Sequence, residues 1–470
     1  MHRALSELIS LGGLPNSAAQ TATINGDDPV FATRYRVAGP GAASIAAAAV
    51  AAANLWTLRG GLPQQVTVNA RAAAAAMRSN HYLKIDGQMP PRPTDTFTGF
   101  YQTNNGRWIY LHSNFSNIRA RNLNVLGAQP EPQAVSAAVA RWDGLALEEA
   151  IAAAGGCAAF VRSEEEWNAS PQAAFVASEP LFEIIRIGDA PPEPMPQGDR
   201  PLSGIRALDL TRVLAGPTCG RTLAEHGADV MRVSREGLPD SGVFDLDTGL
   251  GKLSTFIDLR TAEGVEKLRH LARESDVFSQ SYRPGSMAAR GFSPQDLATL
   301  RPGIVCVSLS AWGNTGPWCD RRGYDTVVQS ANGMAHRGDR EQPVLMPVSA
   351  QDYIAGYLMA YGAMVALARR ATEGGSWLVR LSLAGCGHWV RKQGLLQASE
   401  FATMPANLPA DEIASFVMDS DSTVGRLTHL APVAQMSETS PHWTRPSVPL
   451  GSHAPAWPPR SLNEEQARNE

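Results

Sequence analysis

Among the acidic residues of this sequence, Asp352 is the one whose position most suggests a catalytic role. It is followed by an apolar run that reads as a helix, from Ala355-Gly356-Tyr357 through residues 363–367. A carboxylate at the start of a helix meets the positive end of the helix dipole, which favours its ionised form. The sequence therefore predicts a charged acid at this helix start. The alternative is that Asp352 only caps the helix.

A second candidate site is the loop of residues 211–217, which follows a strand-like run at residues 205–210. In a doubly wound sheet, ligands bind beyond the carboxyl ends of the strands. Gly216 and Pro217 open a helix and leave backbone N–H groups that can meet a phosphate or a carboxylate. The loop has no GxGxxG, so NAD binding is weakly indicated. The alternative is a tight turn between strand and helix.

The segment that begins near Asp352 resembles an earlier segment of the same chain. Each consists of an apolar helix, a Gly-Gly turn (Gly60-Gly61 and Gly374-Gly375) and a β-like run (residues 65–68 and 377–381). The position that matches Asp352 in the earlier copy falls near Pro40. We therefore expect one copy to carry the chemistry and the other to support it.

The chain divides by pattern into four parts. Residues 1–190 carry the first copy and a smaller α+β region, with a loop at 89–106, one helix expected over 134–154 and a β-like closing segment. Residues 191–201 are rich in proline and form a linker. Residues 202–395 alternate strands with short helices, which predicts an α/β fold with a doubly wound, parallel, Rossmann-like sheet. Residues 396–470 form a loop-rich tail with a late β-like segment near 427–435.

Composition narrows the class of protein. The 470 residues are 44% hydrophobic, which is ample for one large or two ordinary domains. A net charge of −4 gives no electrostatic reason to expect nucleic acid or an anionic membrane as partner. The five cysteines are scattered and predict reduced, buried thiols, and no cluster has metal-ligand spacing. The alanine run at 42–53 is too short to span a bilayer, so a soluble, cytoplasmic protein is expected.

Residues 201–386 resemble the family III CoA-transferases, the CaiB/BaiF group that includes formyl-CoA and carnitine CoA-transferases. The resemblance rests on motifs in the family's order: residues 208–217, 227–230, 251–252, 258–260, 275–277, 282–285, 313–317, 323–325, Asp352 and Gly356. Residues 162–172 and 180–192 resemble the family's smaller domain and closing segment, and a related closing segment recurs at 432–451. The chain is thus similar to two incomplete copies that together rebuild one unit of the family's interlocked architecture.

The resemblance implies an acyl-CoA:carboxylate CoA-transferase in which Asp352 is the nucleophile. In the family, this aspartate is acylated by an acyl-CoA to give a mixed anhydride, and then becomes an enzyme–CoA thioester before a carboxylic acid acceptor completes the exchange. The substrates implied are acyl-CoA and a carboxylate. A homodimer, or a pseudo-dimer within one chain, is the expected assembly.

Positions that match the family's CoA contacts follow from the same resemblance. They are Arg212, Leu214, Ala215, Arg235, Ile257, Arg260, Ser281, Tyr282, Arg283 and Arg290. Ser281 and Tyr282 depart from the Asn-Phe often found there. Arg290 stands next to Ala289, where the family usually has an arginine.

Two other functions stay open. Some relatives are α-methylacyl-CoA racemases, which need a histidine before the Asp of the Gly-x-Asp motif, and here that residue is Tyr324. His112, with Asn114 and Phe115, is a candidate to line the cleft, although a hydrogen-bonded loop histidine is the commoner case. A non-catalytic CoA-binding protein is favoured by the split architecture, by Ala289 and by the lack of the family's glycine-rich loop.

Overall fold

The computed structural model describes residues 2–91, 97–238 and 241–460. Residues 92–96 of the predicted loop and residues 461–470 of the predicted tail lie outside the described residues. The helices are α1 (Arg3–Leu11), α2 (Ala38–Leu58), α3 (Ala70–Ala76), α4 (Ser116–Leu126), α5 (Pro132–Val139), α6 (Gly144–Ala153), α7 (Glu164–Asn168), α8 (Pro171–Ser178), α9 (Ala215–Glu225), α10 (Val243–Thr248), α11 (Ala262–Arg273), α12 (Pro294–Leu300), α13 (Asp325–Ala331), α14 (Ala350–Glu373), α15 (Leu383–Lys392), α16 (Ala398–Phe401) and α17 (Ala410–Ala414). The strands are β1 (Ala22–Asn25), β2 (Val66–Asn69), β3 (Lys84–Ile85), β4 (Gly99–Gln102), β5 (Trp108–Leu111), β6 (Ala158–Phe160), β7 (Phe182–Gly188), β8 (Arg206–Leu210), β9 (Asp229–Ser234), β10 (Lys252–Phe256), β11 (Val277–Gln280), β12 (Val305–Ser310), β13 (Ser376–Ser382), β14 (Val417–Ser422), β15 (Gly425–Leu430) and β16 (Ala434–Met436).

The central sheet confirms the predicted α/β class. Among the described residues it has the strand order β10-β9-β8-β11-β12-β13-β7. Every neighbouring pair is parallel except β13 with β7. Strands covered on both faces read as near-continuous buried runs, as β8 does over its whole length. The chain reverses its direction of travel across the sheet between β8 and β11, which is the switch point where open α/β sheets bind ligands.

Three helices pack together beside this sheet and hold its ligand edge. The long α14 lies against both α2 and α9, and most of its residues are buried. The α2 helix is longer than the alanine run that predicted it. Within the described residues it alone is long and apolar enough to cross a membrane, but 78% of that stretch is buried inside the protein. Its apolar surface is therefore accounted for by packing in the core.

The smaller α+β region lies in the first half of the chain. A sheet of order β4-β5-β6 packs with α4, α5 and α6 around Ile109, Leu147 and Ile151. The single helix expected over residues 134–154 is wrong, because α5 ends at Val139 and α6 begins at Gly144. The Asp143 carboxylate accepts a hydrogen bond from the Ala146 N–H at 3.0 Å, so it starts a new helix there.

The two similar segments fold alike. In the first, α2 leads through a turn into β2, and in the second α14 leads through a turn into β13. β2 lies between the parallel β1 and the antiparallel β16, just as β13 lies between the parallel β12 and the antiparallel β7. The strand that completes each sheet comes from a predicted closing segment. Each half of the chain therefore supplies an edge strand of the same kind.

Candidate active site

A cavity of about 290 Å³ opens at the carboxyl ends of β8, β11, β12 and β13. Its lining residues include Phe115, Arg212, Val213, Leu214, Ala215, Ser281, Tyr282, Arg283, Ser286, Cys319, Arg321, Arg322, Tyr324 and Asp352. The predicted residues Arg212, Leu214, Ala215, Ser281, Tyr282, Arg283 and Asp352 are thus brought together. Phe115 comes from the first half of the chain, so both halves contribute to the wall.

Asp352 occupies the first turn of α14 and is 8% exposed. Its backbone N–H donates to Asp325 Oδ2 at 3.1 Å, and Gln329 donates through Nε2 to the other Asp325 oxygen. Asp325 therefore satisfies the start of α14. No described residue donates a hydrogen bond to the carboxylate of Asp352, whose oxygens stay available to the cavity.

Burial opposes the charge on Asp352 more strongly than the helix N-terminus favours it. Desolvation, followed by the neighbouring negative charge of Asp325, raises the pKa of Asp352 well above its ordinary value. Desolvation likewise raises the pKa of Asp325 to about 6, although the hydrogen bond from Gln329 works in the other direction. The helix dipole favours the ionised form, as the sequence predicts, but burial and the charge of Asp325 oppose it. Two carboxylates in one buried site do not ionise together easily, because the negative charge of one raises the pKa of the other.

A buried ion pair fixes the loop after β8 from both ends. Lys252 Nζ donates to Asp209 Oδ2 and to the Pro217 carbonyl oxygen, both at 2.7 Å. The Thr211 N–H donates to Asp209 Oδ1 at 3.1 Å. Between these anchors Val213 adopts a φ of 72°, a region that β-branched residues rarely enter. Strained backbone of this kind persists where the surroundings over-determine it, often at functional sites.

The same loop leads into a helix whose first N–H groups meet no capping side chain. α9 begins at Ala215, and its N-cap residue, Leu214, provides no side-chain hydrogen bond. Both residues line the cavity. Because helix N-termini present donors and a positive dipole end, this start of α9 can receive a developing negative charge.

A histidine from the smaller domain backs the cavity. The His112 ring stacks on Tyr324, with centroids 4.0 Å apart and planes at 16°. Neither ring nitrogen of His112 has a hydrogen-bond partner among the described residues, so the expected hydrogen-bonded loop histidine is wrong. Burial lowers the pKa of His112 to about 3, which makes it neutral at physiological pH. Phe115 lies beside Tyr324 and beneath the Arg212 guanidinium at 5.2 Å.

The remaining predicted CoA contacts lie outside the cavity. Ile257 is 3% exposed and packs in the core. Arg260 is exposed and donates through Nη2 to Asp258 Oδ2 at 2.5 Å. Arg290 donates through Nη1 to the carbonyl oxygen of Ser286 at 2.7 Å, so it adjoins the cavity wall. Arg235 donates weakly to its neighbour's carbonyl oxygen, with 3.3 Å between the atoms.

Sequence reasoning missed Cys319, Arg321 and Arg322 as cavity residues. The prediction that all five cysteines are buried is wrong for Cys319, which is half-buried while the other four are buried. The arginines directly precede the Gly323-Tyr324-Asp325 motif, and this adjacency is the signal that could have found them. Among the described residues, no group of His, Cys, Asp and Glu is arranged to hold a metal ion.

A model of the family described as CoA-transferase family III matches residues 202–420. The acetyl-coenzyme A transferase nodX of Hypoxylon pulicicidum is 30% identical over 62% of this chain and 54% of its own length. The human succinyl-CoA:glutarate CoA-transferase is 35% identical over 36% of this chain and 43% of its own length.

A solved structure of a CAIB/BAIF family protein from Brucella suis is 27% identical, with a TM-score of 0.39, over 44% of this chain and 60% of that one. The chain spans about half the length of the curated relatives it matches. The family match covers the cavity's strand-end loops, the Gly323-Tyr324-Asp325 motif and Asp352. Residues 202–420 of this chain are therefore similar to CoA-transferase family III.

Proposed function

We propose that this protein is an acyl-CoA:carboxylate CoA-transferase with Asp352 as its nucleophile. The observation that carries the proposal is a buried carboxylate without hydrogen-bond donors that faces a cavity at the switch point of a parallel sheet. Two relatives are named acetyl-coenzyme A transferase and succinyl-CoA:glutarate CoA-transferase. The class of substrate proposed is therefore an acyl-CoA donor with a carboxylic acid acceptor.

The reaction needs no net proton or electron transfer. An oxygen of the Asp352 carboxylate attacks the thioester carbonyl carbon, the C–S bond breaks, and a mixed anhydride and CoA thiolate result. The thiolate attacks the aspartyl carbonyl of that anhydride and releases the donor acid, which leaves a thioester on Asp352. The acceptor carboxylate then attacks this thioester and displaces the thiolate. Attack of the thiolate on the acyl carbonyl of the new anhydride gives the new acyl-CoA and restores Asp352.

CoA is a substrate here, and the residues around the cavity suit its parts. Arg212 and Arg283 present guanidinium groups beside the apolar Leu214 and Ala215, a combination that fits a neutral arm joined to phosphates. Arg235, Arg260 and Arg290 do not line this wall, and we propose that they meet the nucleotide end of CoA. The N–H groups at the start of α9 are the proposed donors to the oxyanion of each tetrahedral intermediate.

We further propose that the two halves of the chain, divided at the linker of residues 191–201, rebuild one working unit. Phe115 and His112 from the first half support the cavity that holds Asp352, and β7 completes the central sheet. In the first copy, Pro40 stands at the third residue of its helix, where α14 has Asp352. The cytoplasmic location and the dimer that the sequence predicts stay predictions.

Trapping the acylated aspartate tests the proposed function. The protein is incubated with a panel of acyl-CoAs, treated with hydroxylamine and digested for mass spectrometry. We expect a hydroxamate on Asp352, absent from Asp352→Ala, and a loss of transfer activity of at least about 10⁴-fold in that variant. An unmodified protein that still binds CoA at equilibrium would instead favour a non-catalytic CoA-binding role.

A second candidate function is an α-methylacyl-CoA racemase. The observation that favours it is the His112 imidazole stacked on Tyr324, because it places a histidine beside the position where the sequence lacks one. Proton exchange at the α-carbon would need this imidazole and Asp352 to act as the two transfer groups. Incubation of an α-branched acyl-CoA in deuterium oxide decides the matter, since only the racemase incorporates deuterium without transferring CoA.

A further inference from the structure

A second cavity, of about 360 Å³, has no described lining residue in common with the cavity that Asp352 faces. Three separate parts of the chain form its wall: Arg78 and His81 after α3, residues from α13 to the start of α14, and residues 406–407 of the tail. The two tail residues are exposed, which places the cavity at the surface. Its volume lies in the range of small-molecule sites.

The charge that this wall carries is positive. Arg78 is 7% exposed, and none of the described lining residues is aspartate or glutamate. The guanidinium donates through Nη1 to the Ala406 carbonyl oxygen at 2.8 Å and through Nη2 to His81 Nδ1 at 2.9 Å. It also lies over the Phe31 ring, 5.5 Å from its centroid. These contacts hold a buried cation in the wall, where it favours an anionic ligand such as a carboxylate.

Another part of the same wall is apolar. Residues 345–348, with the sequence Leu-Met-Pro-Val, all line the cavity, and Met346 and Val348 among them are buried. A hydrocarbon chain that covers these side chains is removed from water together with them. A carboxylic acid with a hydrocarbon chain therefore matches both parts of the wall, whereas the sugar and phosphates of a nucleotide match only the basic part.

Gln329 connects this cavity to the proposed nucleophile. Its side chain is buried and lines the cavity. Its Oε1 accepts a hydrogen bond from the Met346 N–H at 2.8 Å, and its Nε2 donates to Asp325 Oδ1. The other carboxylate oxygen of Asp325 accepts from the Asp352 N–H at 3.1 Å. A ligand that packs against Met346 therefore meets one end of a chain of hydrogen bonds whose other end is Asp352.

We propose that the second cavity binds a carboxylic acid with a hydrocarbon chain, and that this acid and CoA bind cooperatively through Gln329 and Asp325. The carboxylate lies at Arg78 and the chain lies along residues 345–348. Both cavities are present in one arrangement of the protein, so a ligand that fits either cavity favours the arrangement that the other ligand binds. The acid is thus an effector, distinct from the acceptor that reacts at Asp352. The cooperativity rests on the proposed function, in which CoA occupies the cavity of Asp352.

Calorimetry with octanoate tests the site in the full-length protein. We expect one site in wild type and in Asp352→Ala, with octanoate bound at least about 10-fold more tightly than the neutral octanamide, because Arg78 attracts only the charged acid. Arg78→Met should weaken octanoate binding by a similar factor. Leu345→Trp should do so as well, since Leu345 is half-buried and a larger side chain there fills the cavity. The matched control is Val344→Trp, at a half-exposed neighbour that does not line this cavity, and it should bind octanoate like wild type.

Titration in the presence of CoA tests the cooperativity. Saturating CoA should tighten octanoate binding by about 5-fold or more, and octanoate should tighten CoA binding by the same factor, because coupling between two sites is reciprocal. Gln329→Met removes both hydrogen bonds of that side chain while it keeps a side chain of similar size. This variant should still bind octanoate, with an affinity that CoA does not change.

Four results would overturn the inference. Octanoate binding to Leu345→Trp as tight as to wild type would place the acid elsewhere, and its loss in Asp352→Ala would assign it to the position of the acceptor. Octanamide that binds as tightly as octanoate would exclude a carboxylate site, and independent binding of octanoate and CoA would exclude the cooperativity. The hydroxylamine trap separates these failures from that of the proposed function: a protein without an Asp352 hydroxamate loses the transferase assignment, while octanoate binding and its loss in Leu345→Trp would still establish the second site.

Discussion

Asp352 meets two opposing electrostatic influences at the start of α14. The helix N-terminus favours its charge, whereas burial and the charge of Asp325 disfavour it, and the second influence prevails. A nucleophile must be ionised to attack, yet a carboxylate with a raised pKa is also more basic and so a better nucleophile once ionised. If Asp352 is the nucleophile, as proposed, the burial that raises its pKa would also contribute to its reactivity.

The Asp325→Asn variant should shift the activity of the enzyme towards acidic pH. Removing the neighbouring charge lowers the pKa of Asp352, so the acidic limb of kcat/KM should move down by about one pH unit. An asparagine keeps an oxygen that can accept the backbone hydrogen bond of Asp352. The measurement is the pH profile of transfer between pH 4 and 8. Asp189→Asn, which removes an almost fully exposed carboxylate, should leave the limb in place. If the acidic limb of kcat/KM lies at the same pH in Asp325→Asn as in the wild-type protein, the electrostatic coupling between Asp325 and Asp352 is contradicted.

The raised pKa of Asp325 also determines whether the free energy of unfolding rises or falls with pH. A carboxyl group with a higher pKa in the folded state keeps its proton while the unfolded chain has already released its own. The free energy of unfolding contributed by Asp325 therefore falls as pH rises from 3.8 to about 6, and is full below that window. Urea unfolding across this range should show a shallower pH dependence in Asp325→Asn.

Residue patterns predicted only part of this site. The loop after β8, the loop after β11 and Asp352 were predictable, because strand ends and a helix start fix where such residues lie. Arg322 was missed, and the stacking of the predicted His112 was not foreseen, because both depend on contacts between distant segments. Nothing local shows that the His112 ring stacks on Tyr324, more than two hundred residues away, or that Arg322 lacks an ion-pair partner.

At the scale of elements, the distance between α9 and α14 sets the geometry of the cavity. A Cβ built on Gly356 would lie 2.4 Å from the Ala215 carbonyl oxygen and 2.6 Å from Thr218 Cβ. Helix α9 carries Ala215 and helix α14 carries Asp352, and both residues line the cavity. Glycine at this position thus allows α14, which carries the proposed nucleophile Asp352, to lie close to the first turn of α9.

The Gly356→Ala variant should separate the two helices. We expect a destabilisation of about 1–3 kcal/mol from the added methyl group and a loss of kcat/KM on the order of 100-fold from the displaced nucleophile. Urea unfolding and transfer assays measure the two effects. The matched control is Gly41→Ala in α2, where the three atoms nearest to the added Cβ belong to the flexible Met77 side chain, at 3.1 to 3.3 Å, so we expect a smaller cost. Wild-type activity in Gly356→Ala would show that the close approach is not required.

The elements themselves were the most predictable level of the structure. Apolar runs such as residues 305–309 predict buried strands. Thr261 predicts the start of α11, where its side chain caps the helix. The break between α5 and α6 was missed because helical spacing continues across it, while the Asp143 cap and the two residues before it decide the local structure. The short β1 was missed because four residues give too little pattern.

At the scale of the whole molecule, the first copy repeats the second even at its helix start. The Asp28 carboxylate accepts hydrogen bonds from the N–H groups of Val37, Ala38 and Gly39 at 2.9 Å, as Asp325 does for α14. Asp28 belongs to a Gly-x-Asp triplet, like Asp325. The first copy therefore keeps the architecture of the helix start, while Pro40 stands in the position that Asp352, the proposed nucleophile, has in the second.

The linker between the halves is anchored rather than loose. The Arg59 guanidinium at the end of α2 donates to the carbonyl oxygens of Pro201 at 2.8 Å and Ser203 at 2.5 Å. Arg301 donates to both oxygens of Glu193 at 2.7 Å. Residues 197–199 lie exposed between these anchors. A cut there should leave the halves associated, because the contacts that join them lie on either side.

Residues 199–470 expressed alone should not form a working enzyme. That fragment lacks β7, so the edge of β13 is unpaired, and it lacks α2, so a buried face of α14 meets water. We expect it to aggregate or unfold and to form no hydroxamate on Asp352. Co-expression with residues 1–198 should restore both solubility and acylation, as should cleavage of the purified full-length protein at a protease site inserted after Gly198. A stable and active fragment 199–470 would show instead that the second half is a complete enzyme and the first half an addition to it.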